Sequence, residues 1–155
     1  MRLTRQTNYA IRILMYCEAN RGRLSHVPEI ASAYKVSELF LFKILKPLVE
    51  NGFIDTVRGR NGGVRLAKPA TDISLFDVVR VTEDNFSMAE CFESDAVDCP
   101  LVDSCGMNAA LRQALGAFFE VLAGYSIDDL VKARPNIAMT LGISQLGLSQ
   151  AKSAA

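Results

Sequence analysis

The chain has 155 residues, half of them apolar. That length excludes a second large catalytic domain, and no apolar run reaches the roughly 18 residues of a membrane span. The net charge is zero, but residues 1–70 carry twelve Lys and Arg against five Asp and Glu, whereas residues 71–155 carry five against twelve. A basic half joined to an acidic half indicates that the first half binds nucleic acid.

The N-terminal segment has no clean apolar stretch and no small-residue cleavage site, so we predict no signal peptide. We therefore expect a cytoplasmic protein without a membrane partner. Thiols stay reduced in the cytoplasm, and clustered cysteines there indicate metal or redox chemistry before structural disulfides.

Helical spacing predicts two helices at the start of the chain. The first has its apolar stripe at Ala10, Ile13, Leu14 and Cys17, which makes Cys17 a buried core residue. Pro28 stands where a second, short helix begins.

A third helix follows after a three-residue turn, with Ser37 as its N-cap and Gly52 at its end. The two faces of this helix are predicted to differ: Leu41, Ile44, Leu45 and Leu48 on the buried face, and Leu39, Phe40, Lys43 and Lys46 largely on the other. A short helix, a turn and a longer helix make a helix-turn-helix unit.

A β-hairpin is predicted directly after this unit. Residues 53–57 and 64–66 have extended, β-rich patterns, and Asn61-Gly62 between them is a strong signal for a short hairpin turn. A hairpin after a helix-turn-helix predicts a winged helix.

The second helix of such a unit enters the major groove of DNA, and basic side chains around it neutralise phosphates. Three arginines close to a tip of small residues allow the wing to approach a groove. The alternatives are a protein-binding use of the fold and a wing whose arginines face solvent. The predicted DNA-binding residues are Lys35, Ser37, Phe40, Lys43, Lys46, Arg58, Arg60, Asn61 and Arg65.

The acidic half is predicted to hold a short helix capped by Ser74, a loop of some 25 residues, and a long helix over 107–124. The long helix has a coiled-coil-like seam, which we interpret as a dimerisation surface rather than a face packed on its own domain. A last short helix is capped by Ser126 and ended by Pro135, and a frayed tail follows. The seam residues are Leu111, Leu115, Phe118 and Leu122.

Three of the four cysteines lie in the long loop, at Cys91, Cys99 and Cys105. Their spacing matches neither the paired cysteines of zinc ribbons nor the cysteine run of bacterial ferredoxins. Three thiolates on one loop are suited to an iron-sulfur cluster, a zinc ion with an outside ligand, or a redox disulfide with a spare thiol. Pro100 after Cys99 resembles the Cys-Pro of ferredoxin ligands and favours the cluster.

Catalysis finds little support. The single histidine, His26, is expected at the surface, and the sequence has no Ser-His-Asp set, phosphate-binding loop or HExxH motif. We therefore predict that the protein is not an enzyme and has no small-molecule substrate.

The start "MRLT", the wing "VRGRNGGVRLAKP" and the cysteine loop ahead of a long helix resemble the iron-sulfur winged-helix regulators of the IscR, NsrR and RirA type. The segments "SELFLFKILKPL", "ISLFDVV", "MAECFE" and "CPLVDSCG" are most similar to the rhizobial iron regulators of that family. The resemblance covers almost the whole chain. It implies a mostly α-helical fold with four units: a winged helix-turn-helix domain over 1–80, a cluster-binding loop over 81–106, a dimerisation helix and C-terminal helix over 107–142, and a flexible tail over 143–155.

The resemblance further implies a homodimeric repressor of iron-uptake genes, which binds a palindromic operator while it carries a cluster, most simply 4Fe-4S, with 2Fe-2S as the alternative. It assigns the three loop cysteines as ligands. The family positions for a fourth ligand hold Asn108 and Asn8 here, and neither is a convincing iron ligand. Water, a small thiol or a carboxylate is left for that role, the candidate carboxylates being Asp95, Asp98 and Asp103.

Other functions remain open at this stage. The same thiols would serve a repressor that senses nitric oxide or redox state. A protein of a different class, an iron-sulfur electron carrier or cluster-assembly factor, would not need the basic wing. A zinc-stabilised regulator is a further alternative.

Overall fold

A computed structural model describes residues 2–92, 99–101 and 104–143 of the chain. Helices and one antiparallel hairpin account for most of these residues. The elements are α1 (Arg5–Ala19), α2 (Val27–Tyr34), α3 (Glu38–Glu50), β1 (Ile54–Val57), β2 (Gly63–Leu66), α4 (Leu75–Thr82), α5 (Gly106–Ala123), α6 (Ile127–Lys132) and α7 (Ile137–Thr140).

Helix α1 is the centre of the fold. Thr4 precedes it and accepts a hydrogen bond from the backbone N–H of Thr7 at 3.2 Å, which satisfies one free donor of the first turn. The predicted apolar stripe is buried, and the side chain of Cys17 is only 5% exposed. Helices α3, α4, α6 and α7 and strand β2 all pack on α1. The predicted core role of Cys17 is confirmed.

The helix-turn-helix unit has the predicted form. Pro28 lies in the first turn of α2, and Ser37 caps α3 by accepting a hydrogen bond from the N–H of Phe40 at 3.2 Å. Lys35, in the turn between them, has a left-handed backbone with φ of +53°. The four residues predicted for the buried face of α3 are all buried, at Leu41, Ile44, Leu45 and Leu48.

The hairpin is present, but its turn differs from the prediction. Val57 pairs with Gly63, so five residues, 58–62, connect the strands instead of a two-residue Asn61-Gly62 turn. Gly59 reverses the chain with φ of +109°. Gly62 serves a different need, because a Cβ there would lie 2.3 Å from the carbonyl oxygen of Val57. The predicted tight turn is therefore wrong.

Two backbone and side-chain contacts fix the hairpin to the helices. Ser25 forms a bridge with Val64 through two hydrogen bonds of 2.8 Å. His26, expected at the surface, is half-buried, and its Nδ1 lies 2.6 Å from the carbonyl oxygen of Gly62, to which it must donate. The wing loop is thus held against the start of α2.

The end of the described chain completes the core. Ser74 and Ser126 form an isolated bridge, in which the N–H of Leu75 donates to Tyr125 at 2.9 Å and that of Ile127 donates to Ile73 at 3.0 Å. Ile127 is fully buried, and α6 and α7 both lie on α1.

This packing corrects two predictions about the C-terminal part of the chain. Ile143, assigned by sequence to a flexible tail, is only 7% exposed and joins the core cluster, while residues 144–155 lie outside the described residues. Helix α6 is not the last helix, since α7 follows it. Residues of α6 and α7 therefore pack in the same core as the winged helix.

The segment between α4 and α5 leaves the core at Glu83. The carboxylate of Glu83 accepts a hydrogen bond from the N–H of Thr4 at 2.6 Å, so the first residue of the segment is tied to the start of α1. Helix α5 has no buried residue and touches α4 through Phe119, whose ring lies edge-on to Phe76 and Phe86. Over the described ranges, no helix has the length and apolarity needed to cross a membrane.

Candidate nucleic-acid interface and cysteine segment

The face of α3 that points away from the core is exposed along its whole length. Lys43 and Lys46 lie on it as predicted, and the Nζ atom of Lys46 is 4.0 Å from a carboxylate oxygen of Glu50. Two large apolar side chains share this face, since Leu39 is 70% exposed and Phe42 is 54% exposed. The recognition helix therefore presents both cations and apolar groups.

At the N-terminal end of α3, the predicted contact residues have different environments. Lys35 and Ser37 are exposed. Phe40 is half-buried, with its ring 5.3 Å from that of Tyr9 and the guanidinium of Arg5 4.9 Å above it. The aromatic pair thus supports Arg5 beside the recognition helix. Sequence reasoning missed Arg5, because its contact with Phe40 joins two distant helices.

The wing arginines fall into two groups. Arg58, Arg60 and Asn61 are exposed in the connecting loop of the hairpin. Arg65 lies on β2, with its Nε 3.7 Å from the carboxylate of Asp55 on the paired strand. Only the loop residues are free of a carboxylate partner within the described chain.

Arg65 also lines a cavity of about 570 Å³ at the end of α1. Three further basic side chains line this cavity, and sequence reasoning missed them. The available signal was the tripeptide Arg-Gly-Arg, which occurs at 21–23 as well as at 58–60. The missed residues are Arg21, Arg23 and Lys68.

A groove of about 590 Å³ separates α3 from the hairpin. Phe42 and Val49 form its wall on α3, Val57 lies opposite on β1, and His26 closes the end at α2. The recognition helix and the wing are therefore joined by an apolar floor, not by a continuous basic surface.

The cysteine segment runs from Cys91 to Cys105, and each of its two ends lies beside α5. Cys91 is half-buried in a short 3-10 helix, and Cys105 is half-buried immediately before α5. The ring of Phe92 lies 4.8 Å from the guanidinium of Arg112, whose Nε donates to Asn108 at 2.6 Å. This contact brings the chain beside Cys91 to the helix that begins after Cys105.

Cys99 is exposed, and none of the four cysteines is in a disulfide. Among residues 2–92, 99–101 and 104–143, no three His, Cys, Asp or Glu side chains converge on one metal position. The proposed ligand carboxylates Asp95, Asp98 and Asp103 lie outside the described residues. Cys17 is distinct from the loop thiols, because burial raises the pKa of its thiol to about 12.

The predicted seam of α5 is half-buried in the single chain. Leu111, Leu115, Phe118 and Leu122 are all in this state. Next to the seam, Val121 is 60% exposed. The face is thus covered in part by its own chain, and its remaining apolar area is available to a partner.

Comparison with known proteins gives a consistent result. The Rrf2 family model, described as an iron-dependent transcriptional regulator, matches residues 3–133. Protein aau3 of Rhizobium meliloti (strain 1021) is 71% identical over 145 residues, which are 94% of each chain. The transcriptional regulator NsrR of Bacillus subtilis (strain 168) is 38% identical over 146 residues, which are 94% of this chain and all of that protein.

Solved structures show the same fold. IscR of T. potens superposes with a TM-score of 0.68 at 19% identity, over 86% of this chain and 88% of that one. CymR, the global cysteine regulator of B. subtilis, also gives a TM-score of 0.68, at 23% identity, over 86% of this chain and 98% of that one.

Proposed function

Because the chain belongs to the Rrf2 family of transcriptional regulators, we propose that it is a homodimeric repressor that binds operator DNA while an iron-sulfur cluster occupies its cysteine segment. The observation that carries the proposal is the combination of a winged helix with three free thiols, of which Cys105 directly precedes α5 and Cys91 is next to Phe92, whose ring contacts α5. Loss of the cluster under iron limitation releases the DNA and allows iron-uptake genes to be transcribed.

DNA binding is supported by the exposed face of α3 and by the wing loop. The predicted contacts of Lys43 and Lys46 with phosphates require exposed side chains, and both are exposed. Arg58 and Arg60 at the wing tip can reach a neighbouring groove, because the other residues of the 58–62 loop are two glycines and an asparagine.

The cluster would be held by Cys91, Cys99 and Cys105. Thiolates are soft ligands that suit iron-sulfur clusters, 4Fe-4S in our proposal with 2Fe-2S as the alternative. Assembly of the cluster would depend on the iron supply, so its presence would report iron availability. Asn108 already accepts a hydrogen bond from Arg112, which leaves a fourth ligand to water, a small thiol or one of the loop carboxylates.

The dimer would form through the seam of α5. Its four apolar residues repeat at the spacing of a coiled coil and retain exposed area in the single chain. A second copy is the partner that fits a symmetric operator, since two recognition helices must lie about one DNA turn or a multiple of it apart.

A change in the cysteine segment would affect the position of the recognition helix through contacts that begin at Glu83. This carboxylate holds the N–H of Thr4, and the next residue, Arg5, lies over the ring of Phe40 on α3. A cluster that orders the segment after Glu83 would therefore also fix the start of α1 against α3.

The test starts from protein purified without oxygen. We expect a brown dimer that contains iron and sulfide, binds operator duplex and releases it after chelation. Cys99→Ser should abolish the colour and cluster-dependent binding, whereas Cys17→Ser, at a buried core position, should retain both. Equal DNA affinity before and after chelation would contradict the cluster as the switch.

The same preparation separates the other candidates. A repressor whose main signal is nitric oxide is favoured by the exposure of Cys99 and by the NsrR relatives. It would release DNA on exposure to nitric oxide but only slowly on chelation. A zinc-stabilised regulator would be colourless and insensitive to air. An electron carrier would bind no specific duplex.

A further inference from the structure

We propose that Leu39 and Phe42 recognise thymine methyl groups in the major groove, so that each operator half-site has thymines beneath the first two turns of α3. The inference rests on the proposed function only in requiring that the chain binds duplex DNA. It adds which side chains determine the sequence and which base they select.

The position of the two side chains on α3 supports this role. The helix starts at Glu38, so Leu39 and Phe42 are its second and fifth residues. Residues three apart lie on the same helical face, and both side chains are more than half exposed. The N-terminal residues of a recognition helix are the ones that reach base edges.

The core of the protein does not require these two residues. The opposite face of α3 already packs Leu41, Ile44 and Leu48, which are fully buried. No described part of the chain covers Leu39, and Phe42 opens into the groove between α3 and the hairpin. Two neighbouring large apolar side chains on an exposed helix therefore indicate a surface that is covered in a complex.

The charges around the pair identify the partner as DNA instead of a second protein. Lys43 is one helical turn beyond Leu39, and Lys46 is one turn beyond Phe42. Lys35 stands in the turn before the helix. An apolar pair flanked by cations on successive turns is complementary to a groove whose floor has methyl groups and whose rims have phosphates.

Thymine is the base that these side chains can select. Leu and Phe have no hydrogen-bonding group, and the C5-methyl of thymine is the apolar group in the major groove. Removing one contacted methyl group should weaken binding about fourfold, from the usual free energy of burying a methylene-sized group. Glu38, beside them, can accept a hydrogen bond from the N4 amino group of cytosine.

The experiment uses the full chain with its cluster reconstituted without oxygen. Binding sites are first selected from a pool of random duplexes. Each thymine of the selected site is then replaced by deoxyuridine, which lacks only the methyl group. We expect a loss of about fourfold in affinity at each contacted thymine, and about sixteenfold when the symmetric pair is replaced in both half-sites.

Variants assign each methyl group to a side chain. Leu39→Ala and Phe42→Ala should each bind the thymine site more weakly and lose the response to deoxyuridine at one position while retaining it at the other. Lys43→Ala is the matched control from the same face. It should weaken both duplexes equally and lower the slope of log affinity against log salt by about two, because the dimer loses one phosphate contact from each copy.

Three results would overturn the inference. Deoxyuridine could have no effect at any position, the alanine variants could keep the full response, or Phe42→Ala could change the native mass, which would make this face a protein interface. In each case cluster-dependent DNA binding, and hence the proposed function, would still stand. If neither the loaded nor the stripped protein binds any duplex, both proposals fail.

Discussion

The recognition helix α3 and the long helix α5 both have apolar residues at helical spacing, but only α3 buries them. Four of the 13 residues of α3 are buried, whereas none of the 18 residues of α5 is. The difference arises because α3 lies against α1 inside the winged helix, while α5 touches mainly α4. An apolar stripe indicates that a helix face packs against something. It does not indicate whether that is the same chain or a partner.

The cysteines show the same contrast. Cys17 is a core residue of α1, at 5% exposure, while Cys99 is exposed and Cys91 and Cys105 are half-buried. The core of the winged helix is formed by residues of the same chain. We propose that the segment before α5 binds an iron-sulfur cluster. We propose that the seam of α5 binds a second copy of the chain.

Thiol alkylation should give the largest contrast between the two regions. In cluster-free protein at pH 8, iodoacetamide should modify the three loop cysteines quickly. Burial raises the pKa of Cys17 from 9.0 to about 12, so its thiolate fraction is about a thousandfold lower than that of a thiol at the ordinary pKa, and its modification should be slow. Mass spectrometry of digested protein over time would measure the rates.

The same raised pKa has a consequence for stability. The neutral thiol of Cys17 stabilises the folded chain fully below its ordinary pKa of 9.0, and this contribution is lost as the pH rises towards 12. Rapid modification of Cys17 in folded protein would contradict its assignment to the core.

The next largest contrast is expected between two truncations in α3, one on its buried face and one on its exposed face. Leu48→Ala should lower the free energy of unfolding by about 2–5 kcal/mol, because it leaves a cavity at a fully buried position. Leu39→Ala, on the exposed face of the same helix, should change it by about 0.5 kcal/mol or less. Urea denaturation of both variants gives the comparison, and equal losses would show that Leu39 also packs in the core.

A charge in the seam of α5 tests the proposed dimer. Leu115→Glu should raise the dimer dissociation constant by about tenfold or more, since each 1.4 kcal/mol of lost apolar contact is a factor of ten. Gln113→Glu adds the same charge on the opposite face of α5 and should leave the dimer intact. Sedimentation over a range of concentrations would follow the shift towards the 17.0 kDa monomer. An unchanged mass would mean that the seam covers its own chain.

The smallest expected effect is at the cap of α6, where the chain returns to the core. Ser126→Ala should lower the Tm by about 2–4 °C, because it removes a helix cap. Ser32→Ala, at an exposed position inside α2, is the control and should not lower the Tm.

The loss at Ser126 should depend on pH. Hydrogen bonds from the side chain and backbone of Ser126 hold the pKa of Asp129 below its usual value. Its carboxylate therefore stabilises the fold above the unfolded pKa of about 4, and this contribution is lost as the pH falls through the lower folded pKa. The Tm difference between wild type and variant should shrink on acidification, and a constant difference would argue against this cap.

Local signals in the sequence predicted much of the fold. The stripe of α1, the caps at Ser37, Ser74 and Ser126, and the strands of the hairpin depend on residues a few positions apart, and the structure confirms all of them. The outward face of α3 was also predictable, since it follows from the buried one.

Features that depend on distant residues were not predictable. His26 meets Gly62 across 36 positions, and Ile143 reaches a core whose other members begin at Ala10. The five-residue wing loop follows from the register of the hairpin, where Val64 also pairs with Ser25. A periodicity argument covers one element at a time and therefore contains none of these contacts.

The bridge between Ser74 and Ser126 closes a loop of chain that starts with the core helix α4 and ends with α5. Backbone hydrogen bonds of 2.9 and 3.0 Å hold residues 73–75 beside residues 125–127, and the part of the loop outside the core runs from Glu83 to Tyr125. The entropy of closing such a loop grows only slowly with its length. We therefore expect the core to tolerate changes of length between Glu83 and Tyr125, because the bridge at Ser74 and Ser126 keeps the returning chain in place.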